Sequence, residues 1–272
     1  MKYAAELTED DGMFYSKNKS AISYPESGNN EYFNIEENSF WFKHRNNCIV
    51  SAVKQYYPNG VIFDIGGGNG YVAKGLEDSG IEIVLLEPGL AGCLNAKRRN
   101  LKNIIYSSLE DAKFASDSIP AVGLFDVLEH TENDIKFLEI IYSYLQDNGL
   151  IFITVPAYKA LWSSEDIEAK HYRRYSISSL AERLNKTGFK IEYTTYLFSI
   201  LPLVIFIFRT LPNRLGLAKG NKHTCEHKER KGFIGFLLNK IWQFELKTIN
   251  QGKILPFGSS CFLVARKTAM KE

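Results

Sequence analysis

Apolar residues in this 272-residue chain fall into short continuous runs that alternate with longer periodic stretches. Runs of strand length occur at Val61-Ile62-Phe63-Asp64-Ile65, from Ile81 to Leu86, at Ile104-Ile105-Tyr106, from Ala121 to Val127 and from Leu150 to Val155. Between them, Tyr71 to Asp78, Leu90 to Arg99 and Asp134 to Leu145 carry the helical period. Upstream, Phe40, Trp41, Ile49, Val50 and Val53 stripe a helix expected from Glu37 to Tyr57, stopped by Pro58-Asn59-Gly60. Thr131-x-x-Asp134 reads as a capping box and Asp147-Asn148-Gly149 as a helix stop.

Strands alternating with helices at this spacing predict right-handed crossovers and a parallel sheet covered on both faces. The near-continuous apolar runs suit strands buried on both sides. Later the alternation fails: a helix from Ser176 to Thr187 leads to a strand from Phe189 to Leu197, and a last strand spans Ser260 to Ala265. Two late strands without a full crossover predict an antiparallel hairpin. The expected fold is therefore α/β: a Rossmann-like three-layer sandwich with a mostly parallel seven-stranded sheet, an antiparallel edge hairpin and a helical cap or insert. Its expected parts are an irregular lead-in or cap over 1–36, the sheet domain over 37–198 and 253–268, and a helical insert, lid or membrane-proximal, over 199–252.

Composition narrows the function classes. With 45% hydrophobic and 24% charged residues the chain is expected to be globular, and a net charge of +2 is too mild to argue for a nucleic-acid partner. Cys48, Cys93, Cys225 and Cys261 are dispersed, so no disulfide framework is implied and a reducing cytoplasm is the expected home. The acidic start, MKYAAELTEDDG, does not read as a signal peptide. The apolar stretch from Leu197 to Phe208 is shorter than the roughly 20 residues of a spanning helix and contains Pro202. It reads as a buried helix or pocket wall, with a helix lying in a membrane interface as the alternative; the second reading gives peripheral membrane contact through 197–209.

The strongest chemistry lies at Asp64-Ile65-Gly66-Gly67-Gly68-Asn69-Gly70, where a strand runs into a glycine turn and a helix. Such a turn admits positive φ and close ligand approach, and the helix start offers free N–H groups. The Gly-Lys-Ser/Thr ending of a phosphate-binding loop is absent. The dinucleotide spacing G-x-G-x-x-G fails at Tyr71. Glu87, closing the second strand, suits a ribose diol of either a nicotinamide dinucleotide or S-adenosylmethionine.

These residues resemble the first motif of the class I S-adenosylmethionine-dependent methyltransferases: an acid, a hydrophobe, then G-x-G-x-G. Phe125-Asp126-Val127-Leu128-Glu129-His130 resembles the F-D-V-L-E-H segment of that family, and Leu145 to Pro156 its approach to the fifth strand. Trp162 and His171-Tyr172-Arg173-Arg174-Tyr175-Ser176 resemble a type 11/12-like subgroup reading L-W-S…D…H-x-R-R-Y-S, as do Phe40-Trp41-Phe42…Arg45-Asn46 and LPFGSSCFLVARK, so that the likeness runs over roughly 37–268. The resemblance implies S-adenosyl-L-methionine as cofactor and S-adenosyl-L-homocysteine as product. It implies that Asp64, Gly66, Gly67, Gly68 and Gly70 surround the methionine moiety, with Glu87 and Pro88 at the ribose. Phe125 and Asp126 would stand beside the methionine or sulfonium end, and Arg45 near the cofactor carboxylate. The aspartate often found after the third strand is replaced by Ser108-Leu109, so the adenine contact would fall to the Leu109 amide.

For the acceptor, His130 and His171 are the candidate catalytic groups, since a base of near-neutral pKa helps when a hydroxyl or acidic carbon is methylated. Each also has an ordinary packing or capping reading. Arg173 and Arg174 are candidates for clamping an anionic substrate, or for ion pairs with Glu129, Glu165 or Asp166. Trp162 and Tyr175 would wall the pocket or belong to the core. His223-Thr-Cys225-Glu-His227 reads as a solvated loop, and no metal is expected. The predicted function is methyl transfer by in-line displacement to a small-molecule, lipid or sugar acceptor, the alternatives being cofactor binding without turnover and a nicotinamide-dependent oxidoreductase.

Overall fold

The computed structural model describes residues 4, 6–18, 26–57, 59–214 and 232–268. In chain order the elements are β1 (Thr8–Asp10), β2 (Met13–Tyr15), α1 (Glu26–Asn38), α2 (Phe40–Tyr56), β3 (Val61–Ile65), α3 (Tyr71–Asp78), β4 (Glu82–Glu87), α4 (Leu90–Arg98), β5 (Ile104–Tyr106) and α5 (Leu109–Ala112). They continue with β6 (Ile119–Phe125), a 3₁₀ turn (Leu128–His130), α6 (Asp134–Tyr144), β7 (Leu145–Pro156), α7 (Ser164–Glu168), α8 (Ile177–Lys186) and β8 (Phe189–Leu197). Last come α9 (Leu201–Ile205), a π turn (Phe206–Thr210), α10 (Leu211–Arg214), α11 (Gly232–Asn250) and β9 (Ser260–Lys267).

One sheet holds all the strands of the described residues, in the order β1-β2-β5-β4-β3-β6-β7-β9-β8. From β2 to β7 the pairings are parallel, while β9 runs antiparallel to both β7 and β8. The sheet's two faces can be read from the alternation of side chains. Val61, Phe63 and Ile65 of β3 join one buried cluster with Leu138 of α6 and Leu180 of α8, whereas Ile62 joins a second with Ile49 of α2, Leu76 of α3, Ala96 of α4 and Trp242 of α11. Helices thus cover both faces. Because β3, β4, β5 and β6 are parallel, their C-terminal ends gather on one edge, where open α/β sheets form their ligand crevices.

Three expectations require correction. Among the described residues the sheet has nine strands, not seven, because the supposedly irregular start supplies β1 and β2, and residues 26–38 form α1. Strands of three residues are too short to show a period. Their signal was the turn: Asp11 (φ 46°) and Gly12 (φ 70°) link Asp10 to its partner Met13, the left-handed pair that a two-residue hairpin requires. The helix expected from Glu37 begins instead at Phe40, because the Ser39 side chain caps it by accepting from the Trp41 and Phe42 amides. Asn133, not Thr131, caps α6, its side chain accepting from the Lys136 amide at 3.0 Å.

The segment between β8 and β9 is tied to the sheet domain by a buried carboxylate. Glu245 of α11, fully buried, accepts from the amides of Phe198 (3.0 Å) and Ser199 (2.6 Å) and lies 3.0 Å from His44 Nε2 of α2. Trp41 stacks on Phe198 and Phe40 on Trp242 beside it. Burial alone would raise the pKa of Glu245, but these hydrogen bonds hold it below the usual carboxylate range. Among the described residues no helix is long and apolar enough to cross a membrane. Replacing Glu245 by alanine orphans the buried Phe198 amide, the part-buried Ser199 amide and the His44 ring, and is expected to cost about 3–5 kcal/mol in urea unfolding; a loss below about 1 kcal/mol would show that the carboxylate is not the anchor.

Candidate active site

The glycine bend follows β3 directly. Gly66, Gly68 and Gly70 have φ of 69°, 54° and 71°, a left-handed conformation that side chains resist, while a β-carbon on Gly67 would stand 2.3 Å from Leu85 Cδ1 and 2.5 Å from Asp64 Oδ2. Above Gly68 there is room: the nearest atom to a β-carbon there is Asn29 Oδ1 at 3.8 Å. Glu87, at the end of β4, accepts the Gly68 amide with one carboxylate oxygen (2.9 Å) and the Gly89 amide with the other (2.7 Å). The two features singled out in the sequence are therefore in direct contact. Pro88 is half-buried between these anchored positions, and the Ser107 amide donates to the Glu87 carbonyl, which brings the Ser108-Leu109 turn alongside. Ser108 caps α5 through the Asp111 amide; the Leu109 side chain is in the core.

Two carboxyl groups here are expensive to ionise. Burial pushes Asp64 up to about 7, with Glu87 adding to the shift and Arg45 opposing it; neither Asp64 oxygen makes a full hydrogen bond, although the Ala73 amide favours its charged form. Burial likewise pushes Glu87 up to about 7 against the pull of the Gly89 and Gly68 amides. A buried orphan carboxylate under a glycine bend, with a second acid facing the same turn, fits a ligand that carries an ammonium group and a sugar diol.

The neighbouring wall comes from the segment after β6. Asp126 has φ +60°, an unusual conformation for a non-glycine residue, held by its amide to the Thr154 carbonyl (3.0 Å) and by Thr154 Oγ1 donating to its carboxylate (2.9 Å). Arg45 from α2, stacked over Trp41, pairs with Asp126 at 3.1 Å and donates to the Phe125 carbonyl at 3.3 Å. A β-carbon on Gly66 would lie 3.1 Å from Val127, so this segment packs directly against the bend.

The 3₁₀ turn that follows carries Glu129 and His130. Glu129 is 1% exposed, its Oε2 has no hydrogen-bond partner, and burial with the nearby Asp126 charge raises its pKa well above the ordinary value. The His130 ring meets the His171 ring edge-on at 4.7 Å; burial and His171 lower its pKa to about 4, so it is neutral at pH 7. His171 Nδ1 hydrogen-bonds to Asp166 Oδ1 at 2.9 Å, and the Tyr172 amide donates to the Glu129 carbonyl at 2.8 Å. The structure thus brings the two histidines together.

Of the two readings open for Arg173 and Arg174, an anion clamp or ion pairs, the structure shows ion pairs. Arg174 is committed to Asp166 (2.7 Å) and the Ala157 carbonyl, and Arg173 to Asp134 (2.8 Å) and the Glu132 carbonyl. Both hold the histidine-bearing loop in place. Tyr175 is core, 2% exposed, its hydroxyl donating to Asp134. Trp162 is half-buried just before α7. The histidine and cysteine set at 223–227 lies outside the described residues.

Sequence reasoning missed α1. Asn69, inside the bend, donates to the Asn29 carbonyl (2.8 Å) and to Glu36, and Asn95 of α4 donates to Asn69. Arg99 pairs with Glu36 (2.9 Å) and donates to the Asn69 carbonyl (2.7 Å). A polar helix without a marked apolar stripe gave no signal of this role.

Comparison with known proteins agrees with the geometry. Residues 42–194 match a family described as a methyltransferase domain. A Mycolicibacterium smegmatis protein named as a probable S-adenosylmethionine-dependent methyltransferase is 22% identical over 64% of this chain and 68% of its own. A S-adenosylmethionine-dependent methyltransferase from Archaeoglobus fulgidus superposes with a TM-score of 0.52 at 17% identity, covering 84% of this chain and 100% of that one. A Haemonchus contortus phosphoethanolamine N-methyltransferase, solved with S-adenosylhomocysteine, gives 0.56 at 19%, covering 91% and 58%.

The raised carboxyls make a pH prediction. Asp64 titrates near 7 when folded and near 3.8 in its ordinary state, so between these values the folded chain holds the extra proton and this group's destabilising effect is relieved as pH falls. The gain of Asp64→Asn over the native chain in urea unfolding is expected to be about 1–3 kcal/mol larger at pH 8 than at pH 5; a pH-independent difference would refute the assignment.

Proposed function

We propose, from the premise that this chain belongs to the methyltransferase domain family and is S-adenosylmethionine-dependent, that it methylates a small, lipid-like acceptor brought up to His130 and His171. The observation that carries the reading is the Glu87 carboxylate on the Gly68 amide, which joins the bend and the acid into one cradle. Bound S-adenosylmethionine supplies a methyl group already activated by its sulfonium. The chain's own work is orientation and exclusion of water, which contribute several kcal/mol of barrier lowering, of the order of 7–11 at best.

In this reading Glu87, backed by Pro88, holds the ribose and Ser108-Leu109 flanks the adenine. Gly66 to Gly70 enclose the methionine, with Asp64 beneath them. Arg45 fixes Phe125 and Asp126, which stand between this cradle and the acceptor side. His130 and His171 are placed to receive the acceptor's reacting group, and Asp166 positions His171. Glu87→Ala is expected to weaken S-adenosylhomocysteine binding at least about tenfold in calorimetric titration, the loss of a charge-assisted contact. NAD should not bind. Native affinity in the variant, or tight NAD binding, would overturn the cradle.

The lipid-like acceptor is supported by the segment between β8 and β9. Leu203 (65% exposed), Ile207 and Phe208 (72%) stand in solvent, as do Phe236, Leu237 and Phe244 (65%) of α11. Residues 199–258 carry ten Lys and Arg against three Glu, a net +7, while the remaining 23 basic and 28 acidic side chains give the rest of the chain −5. An apolar surface in a segment whose sequence carries this charge suits an anionic bilayer. In co-sedimentation, phosphatidylglycerol vesicles are expected to capture the chain and phosphatidylcholine vesicles much less. The double substitution Leu203→Ser, Phe208→Ser should lower capture at least about fivefold. Equal capture by both lipids, or no effect of the substitutions, would remove this support.

A further inference from the structure

We propose that Glu129, His130 and His171 form a binding site for a first-row divalent cation such as Zn²⁺ or Mn²⁺, through which a hydroxyl-bearing acceptor is held beside the methyl donor. One ligand atom from each residue lies within 4.8 Å of those of the other two, a spread that small side-chain rotations close around a single ion. Two nitrogens and one carboxylate oxygen are a donor set for such cations rather than for magnesium or calcium alone.

Three independent features point to a ligand. Glu129 Oε2 is a buried carboxylate oxygen without a hydrogen-bond partner, which is costly unless a positive charge faces it. His171 is held at Nδ1 by Asp166, leaving Nε2 as the ligating nitrogen; Asp166 is itself fixed by the Ser163 amide (2.9 Å) and Arg174. A carboxylate behind a histidine is the usual outer-shell support of a metal ligand. His130 brings the third donor, its ring edge-on to that of His171 at 4.7 Å and held by a hydrogen bond to the Ala169 backbone. Because Val127 packs on Gly66, the set stands next to the glycine bend rather than in a remote pocket.

Three protein ligands leave open positions. An acceptor hydroxyl taken up there would be acidified and would give up its proton to bulk water as it binds, before water is excluded from the site. Its oxygen then forms the new bond to the methyl carbon as the carbon–sulfur bond breaks, giving a methyl ether and a neutral thioether. This use of the cation rests on the methyltransferase reading; the cation site itself does not.

The test is titration of the chelator-dialysed full-length chain with Co²⁺, read by its visible d–d absorption, with S-adenosylhomocysteine binding measured on the same samples. One equivalent is expected to bind, with Glu129→Gln and His171→Asn each weakening it at least about tenfold while S-adenosylhomocysteine affinity is kept, which also certifies the fold. Absence of Co²⁺ uptake by the native chain, or uptake unchanged in both variants, overturns the site. Co²⁺ binding lost in the variants, together with no binding of S-adenosylhomocysteine to the native chain, supports the site and sinks the methyltransferase reading instead.

Discussion

The Glu87 carboxylate grips two backbone amides, Gly68 at 2.9 Å and Gly89 at 2.7 Å, and most of the site's geometry depends on that pair of hydrogen bonds. It closes the turn after β3 onto the turn after β4, so two loops that would otherwise move separately become one rim. The glycines permit this: three adopt left-handed φ, and the fourth lies on Leu85 and Asp64 with no space for a side chain. The Ser107 amide on the Glu87 carbonyl adds the next loop to the same rim. Along the sheet's C-terminal edge, therefore, one acid organises three successive connections.

The buried acids of this edge divide into two kinds. Asp134, Asp166 and Glu245 are satisfied by arginines, histidines or amides and stay ionised, and they lock loops and helices to the sheet. Asp64, Glu87 and Glu129 are pushed the other way by burial. Charge placed in a low-dielectric wall without full compensation is costly, and it is kept where a ligand supplies the compensation. The satisfied acids make a rigid frame, which Glu87 joins through its two amides, while Asp64 and Glu129, each with an unpartnered oxygen, face what that frame is built to receive.

The alternation of strands and helices was legible because parallel strands buried on both faces need continuous apolar runs and amphipathic helices to cover them. The glycine bend, Glu87 and the Phe125-to-His130 segment were legible for a related reason: backbone demands at a strand–helix turn leave few choices of residue. The short hairpin at the start escaped notice because three-residue strands carry no period, although Asp11-Gly12 marked its turn. The polar helix α1 escaped because its contacts are hydrogen bonds to Asn69, Asn95 and Arg99, and such partners leave no periodic trace.

What the sequence determined by itself was local chemistry: where the backbone must bend, where it must be buried, and which acid ends the second central strand. What only the tertiary structure decided was pairing across distance. Arg173 and Arg174 looked equally suited to a substrate or to acids, and folding assigned them to Asp134 and Asp166. His130 and His171 are 41 positions apart, yet their rings meet at 4.7 Å because the loop carrying the second closes over the turn carrying the first. Such encounters depend on which of several compatible partners comes within a few ångströms once the chain is compact. Residue type and spacing are silent on that.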